Sequence, residues 1–149
     1  MKFRSPPTPT IGVCNLQRKV RVNVVELETF ARKAATLCSR LSRQKKTCLE
    51  KLVEISVLLV SDRRMAALHR RYLNQPGPTD VITFQHGEIV ISVDSAAQNA
   101  RGLGNSLGRE LRLYIVHGLL HLHGFDDRDE TSTRKMRLAE KRILAAALE

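Results

Sequence analysis

The sequence predicts an α/β (α+β) fold in which helices cover a small, mixed, four-stranded sheet. Short β-branched runs alternate with segments of helical periodicity, as in mixed folds. The first two strands are each followed by a helix, which favours parallel pairing, whereas the last two are separated by a short turn and favour one antiparallel pair. With 149 residues, 42% of them hydrophobic, the chain can bury the core of a single domain, residues 1–149.

The predicted order of elements is β-α-β-α-β-β-α-α. A proline-rich flexible tail over residues 1–10 precedes them. The strands are predicted over residues 11–23, 52–60, 79–84 and 88–92. The helices are predicted over residues 24–41 and 63–73, over the segment that carries a pair of histidines, and over residues 131–148. The first of these strands is expected to be irregular in its middle. Residues 94–108 are predicted to be a polar, glycine-bearing connection into the histidine helix.

Strands and turns follow from local composition. The run "LVEISVLLV" is β-branched and suits a buried strand. The prolines and glycine of "NQPGP" must end the helix before them, because proline lacks a backbone donor and glycine favours a turn. Little more than "QHG" separates "TDVITF" from "EIVIS", so these two segments are predicted to form a hairpin.

The helices follow from apolar spacing near 3.6 residues. Ser61 or Asp62 can cap the helix over residues 63–73, whose predicted buried face carries Met65, Leu68 and Tyr72. The last helix is predicted to pack through an apolar stripe made of Met136, Ala139, Ile143 and Ala147.

Charge and cysteine content narrow the class of protein. Lys and Arg number 25 against 15 Asp and Glu, and the net charge of +10 favours polyanionic partners such as nucleic acid or anionic lipid. The three cysteines lack the spacing of a zinc knuckle or redox pair, which fits a reduced environment.

No apolar run approaches the roughly 18 residues that a membrane span needs, and the start lacks the apolar segment of a signal peptide. We therefore expect a soluble, cytoplasmic protein.

The stretch "IVHGLLHLHGFDD", residues 115–127, predicts a metal site. On a helix, His117 and His121 lie within about 40° of one another and can reach one ion from successive turns. Gly124 is a natural helix end, because glycine accepts the left-handed conformation, and the turn can swing Asp127 back as a third ligand. The set His117, His121 and Asp127 therefore predicts one zinc-class ion per chain.

Other interpretations of this stretch remain open. The two histidines can also be ordinary core or surface residues. Asp126 competes with Asp127 by one register, and otherwise would hold the turn or a ligand histidine. His123 lies about 200° from His121 on a continued helix and is expected to be exposed or to support the ligands. Gly118 stands where a metzincin-like protease has its glutamate, which argues against a protease and is expected to leave the metal open on that side.

The sequence resembles the YbeY family of metal-dependent endoribonucleases. The resemblance rests on "HGLLHLHGFDD", "PTDVITF" and "GEIVIS", in matching order. It implies zinc-dependent cleavage of single-stranded RNA in ribosomal RNA processing, including small-subunit RNA maturation, and ribosome quality control, with the ribosome as a partner. Two departures stand out. Asp127 occupies the position of the family's third histidine, and Phe125 replaces the family's usual tyrosine. Leu73 occupies the position of the family's arginine.

The missing arginine leads to a further expectation. His117 and His121 are expected to act in catalysis through the metal, and some cation should replace the arginine absent at Leu73. Arg71 lies at the edge of the predicted buried face of its helix, so we expect it to supply this charge. The basic segment 43–46 can be a solvated linker or an RNA contact, and Thr79 and Asp80 can cap a strand or line the cleft.

Two rival functions remain at this stage. One is a zinc metalloprotease of metzincin-like spacing, and the other is a ribosome-assembly protein with a structural zinc. The acidic "DDRDE" beside the site would repel RNA locally unless the metal and arginines neutralise it.

Overall fold

A computed structural model describes residues 8–75 and 79–148 of the chain. Its elements, in chain order, are β1 (Thr10–Asn15), α1 (Val24–Ser39), α2 (Cys48–Lys51), β2 (Glu54–Val60), α3 (Asp62–Leu73), β3 (Val81–Phe84), β4 (Glu88–Ser92), α4 (Val93–Leu103), α5 (Leu107–Leu122) and α6 (Glu130–Ala147).

The four strands form one mixed sheet in the order β1-β2-β4-β3. β1 pairs with β2 and β2 pairs with β4 in parallel, with Val57 opposite Ile89, whereas β3 and β4 form an antiparallel hairpin. The hairpin turn needs Gly87, which has φ of 111° and approaches the carbonyl oxygen of Glu54 so closely that a Cβ would lie 2.7 Å from it. The predicted mixed sheet, mostly parallel with one antiparallel strand, is confirmed.

Side chains alternate between two cores, one on each face of the sheet. Ile55, Val57 and Leu59 of β2 face the larger core together with α1, α5 and α6. Val60 and, on α3, Met65 belong to the smaller core on the opposite face. α5 and α3 therefore cover opposite faces of the sheet.

The structure corrects several predicted elements. β1 ends at Asn15, because the side chain of Gln17 organises the following turn by accepting from the backbone N–H of Val20 and donating to its carbonyl oxygen. Residues 94–108 are mostly helical rather than a connection, since Ser92 caps α4 and Gly104 ends it in the left-handed conformation. The short helix α2, capped by Thr47, was not predicted.

The region around α3 differs from its prediction in one residue. Ser61 caps α3 and Asn74 ends it with φ of 51°, so the predicted helix and its end are confirmed. Tyr72 was predicted to be buried, but it is 55% exposed because its ring leaves the core to meet Phe84 edge-on, with the centroids 5.5 Å apart. The residues Pro76, Gly77 and Pro78 of the predicted break lie outside the described residues. So do residues 1–7 of the predicted tail, whereas Thr10 already belongs to β1.

Among the described residues, no helix combines the length and the apolar character needed to cross a membrane.

Candidate metal centre

The centre is built on the C-terminal end of α5. The helix ends at Leu122, and Gly124 adopts the left-handed conformation with φ of 89°. The N–H of Phe125 donates to the carbonyl oxygen of Leu120 at 2.9 Å, so the chain reverses immediately after the helix. The predicted glycine turn is confirmed, and it returns the following aspartates toward the helix.

The turn brings together the three predicted ligands. One nitrogen from each of His117 and His121 and one carboxylate oxygen of Asp127 all lie within 4.8 Å of one another. Both histidines are partly buried, whereas Asp127 is exposed. The site therefore has a buried histidine side and an aspartate at its mouth, open to solvent.

The hydrogen bonds of the two histidines fix the direction of their ring nitrogens. Nδ1 of His121 lies 3.0 Å from the carbonyl oxygen of Phe125, and Nδ1 of His117 lies 2.5 Å from Oε1 of Glu140 on α6. A carbonyl or carboxylate oxygen can only accept, so each Nδ1 carries the hydrogen. In the neutral form of either ring, the Nε2 atom then presents a lone pair, and these two atoms lie 3.0 Å apart.

Two Nε2 lone pairs at this separation can share one cation. In a tetrahedral zinc site with Zn–N bonds of about 2.0–2.1 Å, two ligand nitrogens lie about 3.3 Å apart, close to the separation here. Burial lowers the pKa of His121 below its ordinary value of 6.5, and the neighbouring His117 lowers it further. A lowered pKa keeps the ring neutral and able to bind metal. The donor set of two imidazoles and one carboxylate suits a zinc-class ion.

The other aspartate of the turn has a different contact. Oδ1 of Asp126 accepts a hydrogen bond from the backbone N–H of Arg128 at 3.3 Å. This bond stabilises the turn that carries Asp127, as was expected of Asp126 if it was not the ligand.

His123 is fully buried, so the first of its two expected placements, an exposed side chain, is wrong. Its Nε2 lies 2.7 Å from the carbonyl oxygen of Leu41 and its Nδ1 lies 2.9 Å from the hydroxyl of Thr47. It is the C-cap residue of α5, and both ring nitrogens contact residues at the two ends of the segment between α1 and α2. His123 therefore joins that loop to the end of the helix.

The role expected of Gly118 is also wrong. A Cβ at this position would lie 2.7 Å from the side chain of Ile89 on β4, so the missing side chain faces the sheet and not the metal. The glycine allows α5 to pack closely on β4. It thereby positions the histidines over the sheet without opening the metal to substrate.

A cavity of about 370 Å³ lies beside the ligands. Its lining consists of Val81, Thr83, Gln85, His117, His121, Leu122, Gly124, Phe125, Asp126 and Arg128. Alternate side chains of β3 and the residue after it reach this cavity, because they share the face of the sheet that α5 covers. The cavity has room for a substrate group directly against the histidine pair.

Arg71 lies apart from this arrangement. It is exposed on α3, on the other face of the sheet, and its guanidinium carbon lies 5.4 Å from the ring centroid of Tyr72. Among the described residues that line the cavity the arginine is Arg128, not Arg71. Leu73 is half exposed at the end of α3. The catalytic role of Arg71 stays a prediction.

Thr79 and Asp80 precede β3. The carbonyl oxygen of Asp80 accepts from the N–H of Ser92 at 2.9 Å, which extends the hairpin ladder, and its carboxylate lies 3.3 Å from the side-chain nitrogen of Asn99 on α4. Asp80 therefore ties the start of β3 to α4.

Two residues of the site were not identified from the sequence. Glu140 belongs to α6, 23 positions from His117, and only the tertiary packing of α5 on α6 joins them. Arg128 lies within "DDRDE", where its position between aspartates was a visible signal that the arginine could face the same site as Asp127.

The chain is similar in sequence to known proteins of one family. A sequence profile of the family described as Endoribonuclease YbeY matches residues 13–147. Endoribonuclease YbeY of Acidothermus cellulolyticus is 36% identical over 116 residues, covering 64% of this chain and 71% of that protein. Endoribonuclease YbeY of an Anaeromyxobacter species is 40% identical over 103 residues, covering 62% of this chain and 54% of that protein.

A solved structure shares the fold. The solution structure of TM1509 from Thermotoga maritima matches with a TM-score of 0.64 at 24% identity, covering 92% of this chain and 88% of that one. The family itself is shown by the sequence match over residues 13–147: the chain belongs to the YbeY family of endoribonucleases.

Proposed function

We propose that the protein is a zinc-dependent endoribonuclease that cleaves single-stranded RNA in ribosomal RNA processing. The proposal includes maturation of small-subunit RNA, a part in ribosome quality control, the ribosome or its small subunit as partner, and a cytoplasmic location. Family membership supports the endoribonuclease role, and the net charge of +10 suits an RNA partner.

The main support for metal dependence is that the Nε2 atoms of His117 and His121 face each other at 3.0 Å. Each imidazole is oriented by a separate acceptor on its Nδ1, so neither ring can turn away without losing a hydrogen bond. His117, His121 and Asp127 would hold one ion and leave the cavity side for substrate. When bound, a zinc-class ion supplies a Lewis acid that acidifies water and stabilises negative charge on a phosphate oxygen.

The protein's own residues would complete the site. Glu140 accepts from Nδ1 of His117 and so keeps Nε2 directed at the ion. The aspartate ligand makes the metal about one charge unit less positive than three histidines would, so a second cation should contribute more here. Arg71 remains our proposed source of that charge from the sequence, and Arg128 is its competitor because it lines the cavity.

The rival functions have less support. The position that carries the glutamate in a metzincin-like protease is Gly118, which is buried against Ile89, so no carboxylate can act from it. A purely structural zinc normally has four protein ligands, whereas three ligands beside a cavity fit an ion that also contacts substrate.

Cleavage of a defined single-stranded RNA tests the proposal directly. Zinc-loaded protein should cut the single strand, leave the same sequence in a duplex intact, and leave casein intact. The His117→Ala/His121→Ala variant should lose both bound metal and cleavage. Cleavage by this variant equal to that of the unaltered protein would refute the proposed metal site, and casein digestion would favour the protease.

A further inference from the structure

A second cavity, of about 360 Å³, adjoins the metal centre. It shares four lining residues with the first cavity, namely Gln85, His121, Leu122 and Gly124. Its other wall consists of residues 43–47, which belong to the loop between α1 and α2, and of Cys48, the first residue of α2. The two cavities therefore meet at the ligand His121.

The lining of the second cavity is cationic. Arg43, Lys45 and Lys46 line it, and no aspartate or glutamate does so among the described residues. Lys45 and Lys46 are exposed and make no ion pair or hydrogen bond within the part of the chain that the structure describes. Their ammonium groups are available to an anion from outside the chain.

The loop is fixed to the end of α5 rather than loosely solvated. Nη2 of Arg43 donates to the carbonyl oxygen of Gly124 at 2.8 Å, and its guanidinium carbon lies 4.1 Å from the ring centroid of Phe125. Thr47, at the other end of the loop, contacts the buried ring of His123 at 2.9 Å. These contacts hold Lys45 and Lys46 between two anchored residues, next to the metal centre.

We infer that the loop carrying Arg43, Lys45 and Lys46 binds backbone phosphates of the RNA strand that flank the scissile phosphate. The inference rests on the proposed function, because the polyanion is the substrate of the adjoining site. A strand whose scissile phosphate occupies the first cavity would pass over His121 and Gln85 into the second. Lysine ammonium groups contact phosphates without identifying bases, so this site contributes affinity and position but no sequence preference.

The loss of two phosphate contacts should make RNA binding depend less steeply on salt concentration, and this change can be measured. For single strands, each contact contributes about 0.7 to the slope of log K against log salt concentration. We expect Lys45→Ala/Lys46→Ala to weaken binding of a twelve-nucleotide single strand about tenfold at low salt and to reduce the slope by about 1.4. A 2′-O-methyl oligonucleotide serves as the probe, with its integrity checked by gel in the same samples.

Matched variants separate a site from a general effect of charge. Arg101→Ala/Arg109→Ala removes two exposed cations near the N-terminal end of α5, at the far end of the helix from His121, and should bind like the unaltered protein. Lys45→Arg/Lys46→Arg should retain binding, and all variants should keep the same zinc content. Equal weakening in the two alanine variants, or none in the Lys45 and Lys46 variant, would overturn the inference.

The same preparations distinguish this inference from the proposed function. If the unaltered protein cleaves RNA and the loop variant binds and cleaves unchanged, the phosphate site is wrong while the endoribonuclease stands. If no preparation cleaves RNA but the loop variant alone loses oligonucleotide binding, the endoribonuclease is wrong while the phosphate site stands. In an active enzyme, the loop variant should raise KM for the long strand with little change in kcat.

Discussion

Glu140 on α6 accepts a hydrogen bond from Nδ1 of His117 on α5, and the Nε2 atom of the same ring faces His121. The carboxylate is partly buried beside the histidine, so water does not replace it freely. The two residues are 23 positions apart, and the pair links the last helix directly to the metal centre. A carboxylate in this position fixes the ring and increases the basicity of the ligand nitrogen.

Replacement of Glu140 should therefore weaken metal binding without removing a ligand. For Glu140→Gln we expect zinc affinity to fall about 10- to 100-fold, the usual effect of losing such a supporting partner. Titration against a competing chelator measures it. Glu130→Gln on the same helix is the control, because Glu130 is exposed and only pairs with Arg134. Equal affinities in the two variants would show that Glu140 does not position His117.

The two aspartates of the turn should differ in their effect on metal content. Asp127→Ala should lose most of the bound zinc, because it removes one of the three ligands, whereas Asp126→Ala should keep it. Elemental analysis of protein purified without chelator measures the content. The reverse result, with zinc kept by Asp127→Ala and lost by Asp126→Ala, would make Asp126 the ligand.

The source of the second cation can be decided among three arginines. We expect Arg128→Ala to lower kcat for RNA cleavage by about tenfold or more at matched zinc content, because Arg128 lines the cavity and a cation near the phosphate stabilises the transition state. The prediction from the sequence is the same loss for Arg71→Ala, so the two variants compete. Arg70→Ala is the control on the same helix as Arg71. Equal activity of the Arg71 and Arg70 variants would remove Arg71 from the mechanism.

The metal-free protein should lose stability on acidification through His121. The pKa of this ring in the folded protein lies below its ordinary value of 6.5, chiefly because of burial and then because of His117. Between these two values the unfolded chain binds more protons, so the free energy of unfolding rises with pH. The contribution of His121 to the free energy of unfolding is complete above about pH 6.5, and it is lost as the pH falls through the pKa of this ring in the folded protein.

Urea unfolding at several pH values measures this dependence. His121→Gln lacks the titrating group, so its stability should fall less between pH 7 and pH 5. Parallel curves for the two metal-free proteins would exclude His121 as the source.

The grouping of the three candidate ligands was predictable because they are local in the sequence. Helical spacing brings His117 and His121 to one face, and Gly124 marks the turn that returns Asp127, so the last six residues of α5 and the five residues after it contain the whole set. The sheet was predictable for the same reason, since its strands have clear β-branched runs. Partners from other elements, such as Glu140 for His117, depend on tertiary packing that no local pattern expresses.

The errors also have physical causes. His123 was placed by extrapolating the helix, but the helix has its C-cap there, and the buried polar ring is satisfied by Thr47 and the carbonyl oxygen of Leu41. α4 was missed because its polar residues and Gly102 resemble a loop, although its Ser92 cap was visible in the sequence. Tyr72 fits the apolar spacing of α3, but spacing does not show that the sheet leaves its ring at the surface.

Gly118 offers a test of how closely α5 lies on the sheet. Gly118→Ala should destabilise the protein by about 1–3 kcal/mol, because the added Cβ meets the branched side chain of Ile89 at 2.7 Å. Gly102→Ala is the control: it lies in α4 with no atom within 4 Å of an added Cβ, and it should be neutral or stabilising by up to about 1 kcal/mol. Equal midpoints of urea unfolding for both variants would contradict this close packing.

The buried ring of His123 has a consequence for local opening of the chain. If the loop between α1 and α2 detached, both ring nitrogens would lose their partners, Thr47 and the carbonyl oxygen of Leu41, inside the protein. We therefore expect opening of the loop to be coupled to fraying of the last turn of α5. Detachment of the loop would then move Lys45 and Lys46 away from His121 and disturb the end of α5 in the same event, so the cationic wall and this end of the site depend on one shared contact, the ring of His123.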